Sequence, residues 1–168
     1  MNGCEFIKKL SKLRKSSSDS IDNIQSFDNF REYMHVIRAT ETDLKVILRA
    51  VNSRDKKTLI LLCGSAGDGK SHLLSYLRNS DPDNLLENYR VFNDATESNA
   101  PDKTAVETLY NRLADFNDEN IDKPGSNVIV AINLGVLSNF VESDYALDFS
   151  TLKAYVKNSN ILTSEVNE

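Results

Sequence analysis

A glycine-rich segment that follows an apolar run constrains the fold more than any other part of the sequence. Residues 64–71 fit the pattern G-x-x-x-x-G-K-[ST], which is typical of phosphate-binding loops. Glycine adopts the positive φ angles and the close backbone approach that such a loop needs. Successive backbone N–H groups then point inward and form an anion-binding nest. The pattern predicts a phosphate-binding loop made of Gly64, Ser65, Ala66, Gly67, Asp68, Gly69, Lys70 and Ser71.

The residues on either side of this loop fit a strand before it and a helix after it. Residues 59–63 are apolar without alternation, as expected for a strand buried on both faces of a parallel sheet. Apolar residues then recur at helical spacing until the stop signal at residues 79–82. Strand, loop and helix therefore occur in the order that a phosphate-binding loop requires.

Two side chains at the end of the loop have predicted chemical roles. Lys70 is predicted to bind the β- and γ-phosphate oxygens of ATP, and the Ser71 hydroxyl is predicted to bind Mg²⁺. A helix that begins near Lys70 adds the positive end of its dipole. We expect the Asp68 side chain to point to solvent.

Strands and helices alternate along the rest of the chain. Two further strands are predicted at residues 89–93 and 128–132. One helix is predicted to begin after Thr40 as its N-cap, and another is predicted at residues 104–116 with Thr104 as its N-cap. The pattern for a helix is weaker at residues 138–141 and 152–156. This order predicts an α/β fold, the three-layer α/β/α sandwich of a phosphate-loop NTPase with a mostly parallel sheet.

The chain divides into a short leader and one domain. Residues 1–28 are interpreted as a basic amphipathic helix and a polar linker, with a docking role favoured over membrane or nucleic-acid binding. Residues 29–168 are predicted to form the NTPase domain, incomplete at its C-terminal end. A net charge of −5 argues against direct wrapping of DNA. Two cysteines and no long apolar segment favour a cytoplasmic protein that does not bind membranes.

The acid that hydrolysis requires beside Mg²⁺ has no clear position in the sequence. Asp94 follows the second predicted strand and is a candidate, with a turn or helix-cap role as the equal alternative. Asn133 ends the third strand and is a candidate γ-phosphate sensor, again with a turn role as the equal alternative. His35 and His72 are interpreted as packing or surface residues. No arginine finger is assigned.

Four segments resemble the F component of Dpt-type restriction, a family of phosphate-loop ATPases in bacterial phosphorothioation-dependent DNA restriction. They are residues 32–36, 62–74, 92–96 and 131–135. The resemblance implies partner subunits in an anti-phage complex that acts on DNA lacking the sulfur modification. Members of that family look longer, and three predicted strands are few for an open sheet. The chain is therefore expected to be an N-terminal fragment.

Three functions follow from these observations as hypotheses. The leading one is an ATPase module of a DNA-restriction complex, with Lys70 and Asp94 as catalytic residues. The second is a nucleotide-gated assembly module with little hydrolysis, since no carboxylate follows the third predicted strand. The third is a phosphate-loop ATPase with an unrelated signalling role. As part of a restriction complex, the chain is expected to reach DNA through the other subunits rather than directly.

Overall fold

The computed structural model describes residues 35–93 and 104–162, which form an α/β fold. The strands are β1 (Leu59–Gly64), β2 (Tyr89–Phe92) and β3 (Asn127–Asn133). The α-helices of the described ranges are α1 (Ala39–Asn52), α2 (Lys70–Asn79), α3 (Ala105–Arg112), α4 (Leu134–Glu142) and α5 (Ser150–Asn158), with 3₁₀ turns at Ala114–Phe116 and Asp144–Asp148. The predicted leader and Asp94 lie outside the described residues.

The three strands form one parallel sheet with β3 in the centre. β1 pairs with β3 so that Gly64 lies opposite Asn133, and β2 pairs with the other side of β3 so that Phe92 lies opposite Val130. Because all three strands run in the same direction, their carboxyl ends meet at one edge of the sheet. In open α/β sheets, ligands bind at this edge.

Helices pack on both faces of the sheet, as the alternation of strands and helices predicted. On one face, Ile129 and Ala131 of β3 pack against leucines of α1 and α2. On the other face, Val128, Val130 and Ile132 pack against α3, α4 and α5. The residues of β3 from Val128 to Ile132 are 0–2% exposed. The sequence of a strand buried on both faces is a continuous run of apolar residues, and the sequence of β3 is such a run.

β1 departs from the predicted burial although it forms the predicted strand. All six of its residues are only half-buried. The reason is its position: within the described residues β1 pairs with β3 alone, so its other edge has no neighbouring strand. The apolar sequence therefore predicted that β1 is a buried strand, but the position of β1 in the sheet determines how much of its surface is buried.

Helix starts were predicted with mixed success. Thr104 caps α3 as predicted, since its hydroxyl accepts a hydrogen bond from the Glu107 N–H at 3.2 Å. The predicted cap at Thr40 is wrong, because α1 begins at Ala39 and its N-cap residue, Arg38, makes no side-chain cap. The Arg38 carbonyl instead accepts from the N–H groups of Glu41 and Thr42.

A carboxylate from a distant turn caps α5. Asp118 accepts hydrogen bonds from the N–H groups of Ser150 at 2.6 Å and Thr151 at 3.0 Å. These bonds favour the charged form and lower the pKa of Asp118 from 3.8 to about 2. Since Asp118 is more than thirty residues away along the chain, sequence spacing gave no sign of this cap.

Candidate nucleotide site

The predicted phosphate loop connects β1 to α2 at the edge where all three strands end. Gly67 and Gly69 have φ angles of +89° and +79°, the left-handed region that glycine adopts readily. The loop residues from Ser65 to Asp68 are exposed, and α2 begins at Lys70 as predicted. The strand, loop and helix that the motif requires are therefore present in the predicted order.

The N-terminus of α2 differs from those of the helices after it. Oxygen atoms of Thr104, Asn133 and Asp118 accept hydrogen bonds from N–H groups at the starts of α3, α4 and α5. The N-cap of α2 is Gly69, which provides no side-chain cap. The first N–H groups of a helix have no partner within the helix and carry a partial positive charge. The start of α2 is thus suited to an anion.

Two side chains of the loop bond to its own backbone. The Lys70 ammonium donates a hydrogen bond to the Ser65 carbonyl at 2.6 Å. The Asp68 carboxylate accepts one from the Ser65 N–H at 2.5 Å. Asp68 is exposed, in agreement with the prediction that its side chain points to solvent, and its carboxylate also bonds back to the loop. A Cβ atom at Gly64 would lie 2.5 Å from Asp68 Oδ2, so a larger residue there would displace this carboxylate.

Arg38 contacts the outer side of the loop. One guanidinium nitrogen donates to the Asp68 carbonyl at 2.8 Å. The same group lies close to Gly69, where an added Cβ would be 3.1 Å from it. Arg38 was not among the predicted site residues, because it lies about thirty residues before Asp68 in the sequence. No local signal relates the two positions.

The end of β2 lies beside the predicted metal ligand. The Ser71 hydroxyl donates a hydrogen bond to the Asn93 carbonyl at 3.2 Å. A hydroxyl has one hydrogen to donate and two lone pairs. Because the hydrogen is directed at Asn93, the lone pairs are available to a cation. Asp94 is the next residue along the chain but lies outside the described residues, so its predicted role stays a prediction.

Asn133 ends β3 directly opposite Gly64. Its side-chain oxygen accepts a hydrogen bond from the Gly135 N–H at 2.8 Å and so caps α4. This contact is what the turn-residue alternative predicts. The position of Asn133 beside the loop strand is compatible with the sensor role, which stays a prediction.

A buried polar cluster joins the segment before α1 to the helix of the loop. His35 contacts His72 at 3.2 Å, bonds to Glu41 at 2.8 Å and stacks on the Tyr76 ring with 3.5 Å between ring centroids. Lys45 bonds to Glu41 at 2.9 Å and lies 3.3 Å from Asp81. His35 and His72 thus fit the interpretation as packing residues. The cluster fixes residues 35–41 against α2.

Opposing effects determine the pKa values in this cluster. Burial raises the pKa of Glu41, but hydrogen bonds from Lys45 and His35 and their positive charges lower it, and the net shift is downward. Burial lowers the pKa of Lys45, but bonding to Glu41 and Asp81 raises it, with a net upward shift. Both shifts favour the charged forms.

A cavity of about 380 Å³ opens between residues 35–41 and the loop. Its wall includes Val36, Arg38, Leu73 and the loop residues Gly69 and Lys70. Cys63 also lines it; burial raises the pKa of this thiol more than the nearby Lys70 charge lowers it, so the thiol is a poor nucleophile. The cavity is continuous with the phosphate loop and has both apolar and polar walls.

Comparison of the chain with family models, curated proteins and solved structures finds no significant match. Within the two described ranges, no helix is long and apolar enough to cross a membrane. The same ranges contain no group of three or more His, Cys, Asp or Glu side chains arranged to hold a metal ion.

Proposed function

We propose that this chain is an ATP-binding module with the fold of a phosphate-loop NTPase, and that it hydrolyses ATP. The observation that carries the proposal is the N-terminus of α2, which has no side-chain cap and lies at the carboxyl edge of a parallel sheet. A lysine and a serine occupy its first two positions, where the motif requires them.

The residues at the loop fit ATP with Mg²⁺. The backbone of residues 64–69 would surround the phosphates, and the Lys70 ammonium would leave the Ser65 carbonyl to bind the β- and γ-phosphate oxygens. The Ser71 hydroxyl would bind Mg²⁺, which in nucleotide sites keeps few protein ligands besides phosphates and water. When bound, Mg²⁺ would neutralise charge that develops on the phosphates. Asp94 is the proposed acid beside it.

The cavity beside the loop is suited to the nucleoside half of the ligand. It shares Gly69 and Lys70 with the phosphate loop, so a group covalently attached to the phosphates could enter it. Val36 and Leu73 provide apolar contacts, and the planar guanidinium of Arg38 can stack on an aromatic ring. The volume of the cavity lies in the range that is usual for small-molecule sites.

The biological setting of the proposal is a phosphorothioation-dependent DNA restriction complex. Its support is the resemblance of four segments to the F component of Dpt-type restriction. The net charge of −5 agrees with contact to DNA through partner subunits rather than through this chain. ATP binding would then control the assembly or activity of those partners.

A nucleotide-gated module with little hydrolysis is the second candidate. The observation that favours it is at β3, which lies next to the loop strand and ends in Asn133 rather than in a carboxylate. The Asn133 oxygen is already bonded to Gly135. Hydrolysis by this chain therefore depends on Asp94.

Replacing Asp94 by asparagine separates the two candidates. We expect single-turnover hydrolysis of ATP to fall by about 100-fold or more, because a charge that stabilises the transition state is lost, while ATP binding is retained. Asp122→Asn is the matched control, since Asp122 is exposed and precedes the amino end of β3. Equal rates in Asp94→Asn and the unaltered chain would refute the role of Asp94. Tight ATP binding without turnover by the unaltered chain would favour the gated module.

A further inference from the structure

Asn93 is buried at the end of β2 without hydrogen-bond partners for its side chain. The residue is 8% exposed. Its amide nitrogen and its amide oxygen are both buried, and neither has a hydrogen-bond partner among residues 35–93 and 104–162. An asparagine amide can donate two hydrogen bonds and accept two. Burial without any of them destabilises a fold, so such a group calls for an explanation.

Its position supplies that explanation. The backbone carbonyl of Asn93 accepts a hydrogen bond from the hydroxyl of Ser71, the predicted Mg²⁺ ligand. The unpaired side-chain amide therefore belongs to a residue that contacts this ligand. Two other buried side chains in the described ranges have unpaired oxygens, those of Tyr89 and Thr108. Tyr89 lies at the opposite end of β2, and Thr108 lies on α3. Tyr89 also contacts α2, but near its C-terminal end, where Arg78 donates to the Tyr89 carbonyl. Asn93 instead contacts the start of α2, at Ser71.

We infer that the Asn93 amide is a positioning group for hydrated Mg²⁺ bound with ATP. This inference rests on the proposed function. Binding of ATP and Mg²⁺ would open the buried amide to the site. The amide oxygen would then accept a hydrogen bond from water in the ion's hydration shell, and the amide nitrogen would donate to a phosphate oxygen or to a second water. Asn93 thereby orients the groups around the ion without binding it directly, as outer-shell residues of metal sites do.

A role in binding ATP and Mg²⁺ explains why the Asn93 amide is unpaired in the free protein. In the free protein the amide lacks partners and lowers stability. With ATP and Mg²⁺ bound, it gains them. A side chain that serves only the fold would behave in the opposite way, because its loss would destabilise the free protein.

Replacing Asn93 by leucine, which is apolar and similar in size, tests the inference through two measurements. We expect the unfolding midpoint of the nucleotide-free chain to rise by about 2–4 °C, because an unpaired buried amide is removed. We also expect the affinity for Mg²⁺ at saturating ATP to fall by about 10–100-fold, the usual effect of losing an outer-shell group. The affinity for ATP in the presence of a magnesium chelator should not change.

Thr108→Val is the matched control. It removes another unpaired buried oxygen with no change of shape, on a helix away from the loop. It should raise the unfolding midpoint without altering the affinity for Mg²⁺.

Each remaining outcome counts against the inference. A lower unfolding midpoint in Asn93→Leu would show that the amide has partners in the free protein. Unchanged Mg²⁺ affinity in Asn93→Leu would overturn this inference alone and leave the proposed function in place. Absence of ATP binding by the folded, unaltered chain would overturn both.

Discussion

Replacing Lys70 by alanine is expected to weaken ATP binding by at least about 30-fold, which corresponds to a loss of about 2 kcal/mol or more. The ammonium is the charged side chain that the motif places at the β- and γ-phosphates. In the free protein the ammonium donates a hydrogen bond to the Ser65 carbonyl, an exposed group that can accept a hydrogen bond from water instead. The variant should therefore keep its stability while it loses affinity, and thermal unfolding together with calorimetric titration would show both.

Lys56→Ala is the control for this substitution. It removes the same charge from an exposed position in the turn before β1, at the opposite edge of the sheet. ATP affinity should be unchanged in this variant. Equal affinities of Lys70→Ala and the unaltered chain would refute the loop as the phosphate site. In cells that carry the restriction system, Lys70→Ala should abolish restriction, whereas an unaltered phenotype would favour an unrelated role.

Replacing Glu41 by alanine is expected to lower the free energy of unfolding by about 3 kcal/mol. The Glu41 side chain is 3% exposed and bonds to both His35 and Lys45. Its loss leaves these two groups without their shared acceptor, and Lys45 keeps the longer contact to Asp81 and its position over the Tyr76 ring. Removing one partner of a buried charged network costs more than removing a surface pair. Urea unfolding at neutral pH measures the change.

Asp43→Ala is the control, since it removes an exposed carboxylate from the same helix. Its effect should stay within about 0.5 kcal/mol. If the two variants are equally stable, the cluster does not hold the segment before α1 in place.

The effect of Glu41→Ala should depend on pH with a definite sign. Because the pKa of Glu41 is lower in the folded protein, its contribution is complete above the pKa of the unfolded chain and is lost as the pH falls through the folded value. The raised pKa of Lys45 means that its contribution is lost as the pH rises through the folded value. The difference between Glu41→Ala and the unaltered chain should therefore be largest near neutral pH and shrink in acid.

Local sequence patterns predicted most of the fold. The apolar runs of β1 and β3, the loop motif and the start of α2 at Lys70 depend on neighbouring residues only, so one sequence sufficed to find them. The Thr104 cap was predicted for the same reason. The Thr40 cap was wrong because α1 begins two residues earlier than predicted, a shift that composition does not determine.

Contacts between residues that are distant in the chain could not be predicted from the sequence. The bond from Arg38 to the loop and the contact between Lys45 and Asp81 join positions that only the fold brings together. The bond between the Asp68 carboxylate and the Ser65 N–H depends on the path of the loop, which the pattern does not specify in detail. The unpaired amide of Asn93 is a property of burial and neighbours, so no pattern of residue types predicts it.

Backbone amide chemical shifts of the chain, recorded with and without ATP and Mg²⁺, test the central claim most directly. The account predicts saturable shifts that are largest at residues 64–71 and extend to residues 35–41 around the cavity. A second cavity at the opposite edge of the sheet contains Arg54, Lys56 and Lys123 and is the alternative site for an anion. Shifts confined to that cavity, or no shifts in a folded chain, would contradict the assignment of residues 64–71 as the phosphate site.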